Sequence, residues 1–178
     1  MLCSMDLMLL RTFQKQIALQ CEFVLKAAND INSALQLGDI NGIFGGIQSL
    51  LSAAANIAKA LWSQEEARGP LRASLGVRDD SPLRELRMRH NFEHFDERLD
   101  RWWRESRQRN YADLNVGSKD AIAGIAEIDR FRWFDPRTTD VMFWGESFNI
   151  QKIVDEVKHL HPVAIQESRK PHWETGNK

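Results

Sequence analysis

Apolar residues recur at helical spacing from about Ser4 to Leu37, through Leu7, Leu10, Phe13, Ile17, Cys21, Val24, Ala28, Ile31 and Leu35. That period predicts one long helix, ended by Gly38. A second helix is predicted over about Ile40–Trp62, where Gly42, Gly45, Gly46 and several alanines would let a neighbour approach closely. The pair reads as an αα-hairpin. Gly69, Pro70 and Gly76 around the short apolar piece Leu71–Leu75 make Ser63–Asp80 a connector with about one helical turn. Ser81 followed by Pro82 is a helix start, with Glu85 near the positive end of the helix dipole, and the third helix is expected to run to about Arg104. Beyond it the pattern changes. Ile128–Phe134 and Asp140–Trp144 are β-branched and aromatic, with Pro136, Thr138 and Thr139 between them, which predicts a β-hairpin. Helical spacing resumes over Ser147–His161 through Ile150, Ile153, Val154, Val157 and Leu160, and Pro162 is expected to end it. The expectation is a mainly α fold: a bundle of about four helices with a small β-hairpin inserted before the last, as one domain over 1–165 with a polar tail over 166–178.

Composition narrows the functional classes. Lys and Arg (24) balance Asp and Glu (25), so any anion site must be a local cluster rather than a basic coat. Cys3 and Cys21 have neither disulfide-framework nor metal-knuckle spacing and no activating His nearby in sequence, which fits inert thiols in a reducing, cytoplasmic setting. Asp6, Arg11 and Lys15 interrupt the apolar start, unlike a signal peptide. Residues 40–58 carry no charge, but Asn41, Gln48, Ser49, Ser52 and Asn56 interrupt them, and a buried helix is expected rather than a membrane span.

The third helix carries the most chemistry. At about 100° per residue, Met88, Phe92, Phe95, Leu99 and Trp102 form its packing stripe. His90, Glu93, His94 and Glu97 fall on the opposite side, with Arg89 at the border. Two imidazoles, two carboxylates and a guanidinium on neighbouring turns form a candidate site, weighed against a merely solvated charged face.

This segment resembles the signature of the HEPN superfamily, helical domains of prokaryotic toxins, abortive-infection proteins and RNA-processing nucleases. That signature is an Arg, four to six residues and a His, often with a polar residue directly after the Arg; Arg89, His90 and His94 meet it at its shortest spacing. The acidic continuation Glu93-His94-Phe95-Asp96-Glu97-Arg98-Leu99-Asp100 is similar to that of bacterial members. The resemblance implies metal-independent endonucleolytic cleavage of RNA, leaving a cyclic phosphate, in a defence or toxin–antitoxin setting, with no cofactor. It also implies a homodimer in which Arg and His of both subunits line one cleft, and a toxin would add an antitoxin protein partner.

The chemistry can be stated from the residues alone. Cleavage needs a proton taken from the ribose 2′-hydroxyl, charge stabilised on phosphorus, and a proton given to the 5′-oxygen. Histidine suits the proton steps and arginine the phosphate. His94 is therefore assigned to proton transfer, Arg89 to phosphate binding and transition-state stabilisation, and His90 to orientation or a second proton role, with Asn91 and Glu93 accessory. Arg107 and Arg109, with Lys119, are candidates for guiding the substrate's phosphate chain. Residues five apart on a helix project about 140° from one another, so one chain alone looks incomplete; the dimer that the resemblance implies would complete the set and is a requirement of this reading.

Two rival readings remain. A metal could use His90 and His94 at i and i+4 with Glu93 and Glu97, although the Glu-x-x-His pattern of di-iron bundles is absent. A non-catalytic HEPN-like binding or assembly module is the second, because Glu93, Asp96, Glu97 and Asp100 would repel RNA unless Arg87, Arg98, Arg101 and Arg104 neutralise them. Trp102, Trp103, Trp133 and Trp144 could stack on bases but are expected to serve core packing and strand pairing. Gly42, Gly45 and Gly46 lack the Lys-Ser or Lys-Thr of a phosphate-binding loop.

Overall fold

Leu10, Ile17, Cys21, Val24 and Ile31 are buried along one side of α1 (Leu7–Leu37), as their period requires. The computed structural model describes residues 5–64 and 66–173; the expected start at Ser4, and Cys3, lie outside them. Asp6 caps α1 by accepting the Leu9 N–H at 3.0 Å, and Gly38 closes it at φ 67°. Asp39, directly after, caps α2 (Ile40–Trp62) through the Gly42 N–H at 2.9 Å, so the hairpin turns within two residues.

The small residues of α2 work as anticipated. A Cβ at Gly46 would lie 2.6 Å from Ile31 Cγ1 and 3.4 Å from the Ala27 carbonyl oxygen, so the absence of a side chain there sets how closely α1 and α2 approach. We expect Gly46→Val to destabilise the fold by about 1–3 kcal/mol through overpacking, despite valine's better helix propensity. A thermal melt should show the midpoint lowered by several degrees; an unchanged midpoint would mean the hairpin can spread at no cost.

The bundle continues with the short α3 (Gly69–Leu75) and with α6 (Ile150–Ser168), and α1 packs along both α2 and α6. Two expectations about α6 are corrected. It begins three residues later than predicted, because Ser147–Asn149 belong to a strand, with Asn149 Oδ1 accepting the Lys152 N–H at 3.2 Å as the cap. Pro162 lies inside the helix, which runs on to Ser168 and takes residues 166–168 from the expected tail. An internal proline costs about 3 kcal/mol; burial of Leu160 and Ala164, and the Arg11–Glu167 ion pair at 3.6 Å, offset that cost.

The predicted third helix is not continuous. Pro82–Arg84 form one 3-10 turn, Glu85 is extended, α4 covers Arg87–Glu93, and α5 covers Phe95–Glu105 after a break at His94 (φ −96°, ψ 44°). Glu85 ends the first turn because its carboxylate accepts the Arg87 N–H at 2.7 Å while pairing with the Arg87 guanidinium. Ser81 is tied to α6 through Glu156 at 2.8 Å. The break at His94 lets the two halves meet different neighbours: α4 packs on α2, and α5 on the segment around Glu127–Asp129.

The predicted hairpin is present as β2 (Trp133–Asp135) antiparallel to β3 (Asp140–Phe143), but it is half of a four-stranded sheet of order β1-β2-β3-β4. β4 (Glu146–Asn149) pairs antiparallel with β3 across a two-residue turn in which Trp144 (φ 49°) and Gly145 (φ 77°) both take positive φ, while β1 (Asn115–Val116) is parallel to β2. Phe134, Val141 and Phe143 point to the helices and are buried; Trp133, Met142 and Ser147 share the other face. Phe131 centres the junction with α5, its ring 4.8–5.8 Å from Tyr111, Phe95, Trp102, Phe143 and Trp144.

Candidate functional site

Met88 and Phe92 are buried and Phe95, Leu99 and Trp102 pack against the core, so the predicted stripe of the third segment faces inward. His90, Glu93, His94 and Glu97 are exposed on the other side. His90 and His94 are exposed, with ring centroids 6.1 Å apart in an edge-to-face arrangement. The Nδ1 of His94 lies 3.4 Å from Glu97. Arg89 sits at the border as predicted, its side chain 14% exposed, and Glu93 holds it from the side, with Nε to Oε1 at 2.8 Å and Nη2 to Oε2 at 2.6 Å. Glu93 is thus the clamp of Arg89. Five N–H groups project from a guanidinium, and this pairing occupies one edge, leaving the Nη1 edge for another acceptor.

Asn91 does something the sequence does not announce. It is buried, its Oδ1 accepts Arg98 Nε at 3.0 Å, and its Nδ2 donates to Glu146 of β4 at 3.3 Å. One amide thereby connects α4, α5 and the sheet. Beside it opens a cleft of about 450 Å³ lined by Asn91, Arg98, Arg101, Glu127, Trp144 and Glu146. Arg101 pairs with Glu105 at 2.9 Å and lies 5.2 Å from the Trp144 ring centroid.

Arg107 and Arg109 are not brought to this place. They follow the far end of α5, roughly 16 Å from His94 at the rise of an α-helix. Both are exposed, and Arg109 (φ 53°) stacks on Trp103 at 3.8 Å. Arg98 and Arg101 are the arginines that line the cleft beside the motif. Those two arginines were expected only to neutralise neighbouring carboxylates. Glu127, Glu146 and Trp144 entered the site without any local signal, since they are brought in by strand pairing and by the 3-10 turn at Glu127–Asp129.

Two buried carboxylates hold the frame behind the cleft. Asp129 accepts both the Trp102 indole N–H at 2.8 Å and the Ser106 hydroxyl, fixing the end of α5. Asp113 is gripped by Arg132, with Nε to Oδ1 at 2.9 Å and a second contact through Nη2, and it also accepts the Tyr111 hydroxyl at 2.9 Å. Burial works to raise the Asp113 pKa, but the Arg132 hydrogen bonds and charge outweigh it and hold the carboxyl below its ordinary value. Tyr111 is pushed up to about 12, first by burial and then by its bond to Asp113. Cys21 is buried within α1 and its thiol is pushed up to about 12 by desolvation, which suits a packing role.

Among the described residues no three of His, Cys, Asp and Glu gather as a metal donor set, and no helix is long and apolar enough to cross a membrane. The uncharged stretch 40–58 lies within α2, where Ile43, Phe44, Ile47, Leu50 and Ile57 are buried. No family model matches this chain, and neither a curated protein nor a solved structure matches it.

Proposed function

We propose that this chain is a HEPN-type domain that cleaves RNA without a metal, as a homodimer in the cytoplasm of a prokaryote, in a defence or toxin–antitoxin role with an antitoxin protein as partner. The observation that carries this reading is the pair of exposed imidazoles, His90 and His94, 6.1 Å apart beside a guanidinium already oriented by Glu93. A pre-set guanidinium loses less freedom on gripping phosphate. One imidazole takes the 2′-proton as the 2′-oxygen bonds to phosphorus; the 5′-oxygen leaves with a proton from the other. A 2′,3′-cyclic phosphate and a 5′-hydroxyl remain, and no water is consumed in that step. Both imidazoles lie on one side of the segment, so in a twofold dimer the mate's Arg89 would complete the set.

A specific observation favours a second reading. The bidentate hold of Glu93 on Arg89 neutralises the charge that phosphate would need, which suits a binding or assembly module without cleavage. Incubation of the purified chain with mixed RNA in excess EDTA separates the two. The nuclease reading expects fragments with cyclic phosphate ends, at a rate per chain that falls as dilution dissociates the dimer. RNA left intact under these conditions would leave the binding module as the reading.

A further inference from the structure

On the face of the sheet away from the helices, the chain between β1 and β2 folds back and is pinned there. Arg130 donates to the carbonyls of Lys119 at 3.0 Å and Ile122 at 3.3 Å, and the Trp133 indole donates to the Gly117 carbonyl at 2.7 Å. A cavity of about 330 Å³ remains between this segment and the strands, with Trp133, Met142 and Trp144 as its apolar part, Lys119 and Arg130 among its basic lining, and Glu127 joined by Asp120, Asp135 and Asp140 as its carboxylates. Its volume lies at the lower end of small-ligand sites.

Two features distinguish this cavity from a packing defect. Glu127 and Trp144 also line the cleft beside Asn91, Arg98 and Arg101, so cavity and cleft adjoin. Glu127 lies over the bare Cα of Gly145, where a Cβ would come within 2.5 Å of its Oε2.

We propose that this cavity binds the base of an unpaired guanine nucleotide, with its phosphates directed into the arginine cleft. A carboxylate offers two acceptors side by side, and among the four bases only guanine presents two adjacent donors, N1–H and N2–H, on its Watson–Crick edge. Aromatic walls stack on any base, so they supply affinity while Glu127 supplies the choice. The proposal rests on the RNA-cleaving reading for the larger ligand, but base binding is measurable without cleavage.

Calorimetric titration of the full chain with GMP, AMP, CMP and UMP tests it, with N-acetyl-arginine methylamide as a fifth probe, because a guanidinium matches the same carboxylate fork. GMP is expected to bind at least about tenfold tighter than the other four, and Glu127→Gln, which places an amide donor before guanine's donors, is expected to remove that preference. Glu127 is exposed and has no ion-pair partner among the described residues, so the variant should retain the wild-type fold. Equal affinities, no binding, a preference for the arginine probe, or a GMP preference that survives Glu127→Gln would overturn the guanine site, even if the chain cleaves RNA. Guanine-selective binding by a chain that cleaves no RNA would uphold the site and remove the nuclease reading alone.

Discussion

His94→Ala is expected to lower RNA cleavage by about 10²- to 10⁴-fold, the loss associated with removing a positioned proton-transfer group. The variant should fold normally, since the His94 side chain is 52% exposed and its nearest charged partner, Glu97, is itself 64% exposed. Loss of activity with an unchanged melting curve would therefore be chemical rather than structural. Arg89→Ala should also lose cleavage, but it frees Glu93 and leaves a carboxylate facing the substrate, so part of its effect would be repulsion. Mixing the two inactive proteins provides the sharper readout. If Arg89 of one subunit acts with His94 of the other, heterodimers retain one intact composite site and recover part of the wild-type rate. Two sites confined to separate subunits would recover nothing. An His94→Ala protein that cleaves at the wild-type rate would remove the imidazole from the mechanism.

What was legible in the chain depended on whether its cause was local. The stripe through Leu10, Ile17, Cys21, Val24 and Ile31 is a property of one helix repeating itself, and it points inward as its period requires. Met88 and Phe92 were placed for the same reason. The break at His94 was not legible, because it arises from α4 and α5 meeting different neighbours. Likewise nothing near Pro162 announces that Leu160 and Ala164 will be buried well enough to carry the helix past it. Within the site, the Arg89-to-His94 spacing was visible, whereas the bond from Asn91 to Glu146 spans 55 positions and follows from strand register. Glu127 and Gly145 meet only because a 3-10 turn and a hairpin turn face each other.

Arg132→Ala is expected to destabilise the fold by about 3–5 kcal/mol at neutral pH, because it leaves a buried carboxylate without its counter-charge. The Asp113 side chain is only 8% exposed, and in the variant only the Tyr111 hydroxyl and the backbone N–H of residue 132 would donate to it. The guanidinium also covers the Phe95 ring at 4.4 Å, so its loss uncovers part of the aromatic junction behind the cleft. The sign of the pH dependence follows from Asp113, whose pKa the wild-type fold holds below its ordinary value. A carboxyl depressed in this way contributes stability above its unfolded pKa of about 3.9, and that contribution is lost as pH falls through the lower folded value. Without the guanidinium, burial is opposed only by the hydrogen bonds from Tyr111 and the residue-132 N–H, so the Asp113 carboxyl should protonate at higher pH and acid should relieve the unpaired charge. Urea denaturation of wild type and variant at pH 7 and at pH 3 should therefore show a gap that is large at the first and narrower at the second. A gap that is small at pH 7, or that widens in acid, would mean that solvent rather than Arg132 supports Asp113. The frame behind the cleft would then rest on Asp129 and the aromatic cluster alone.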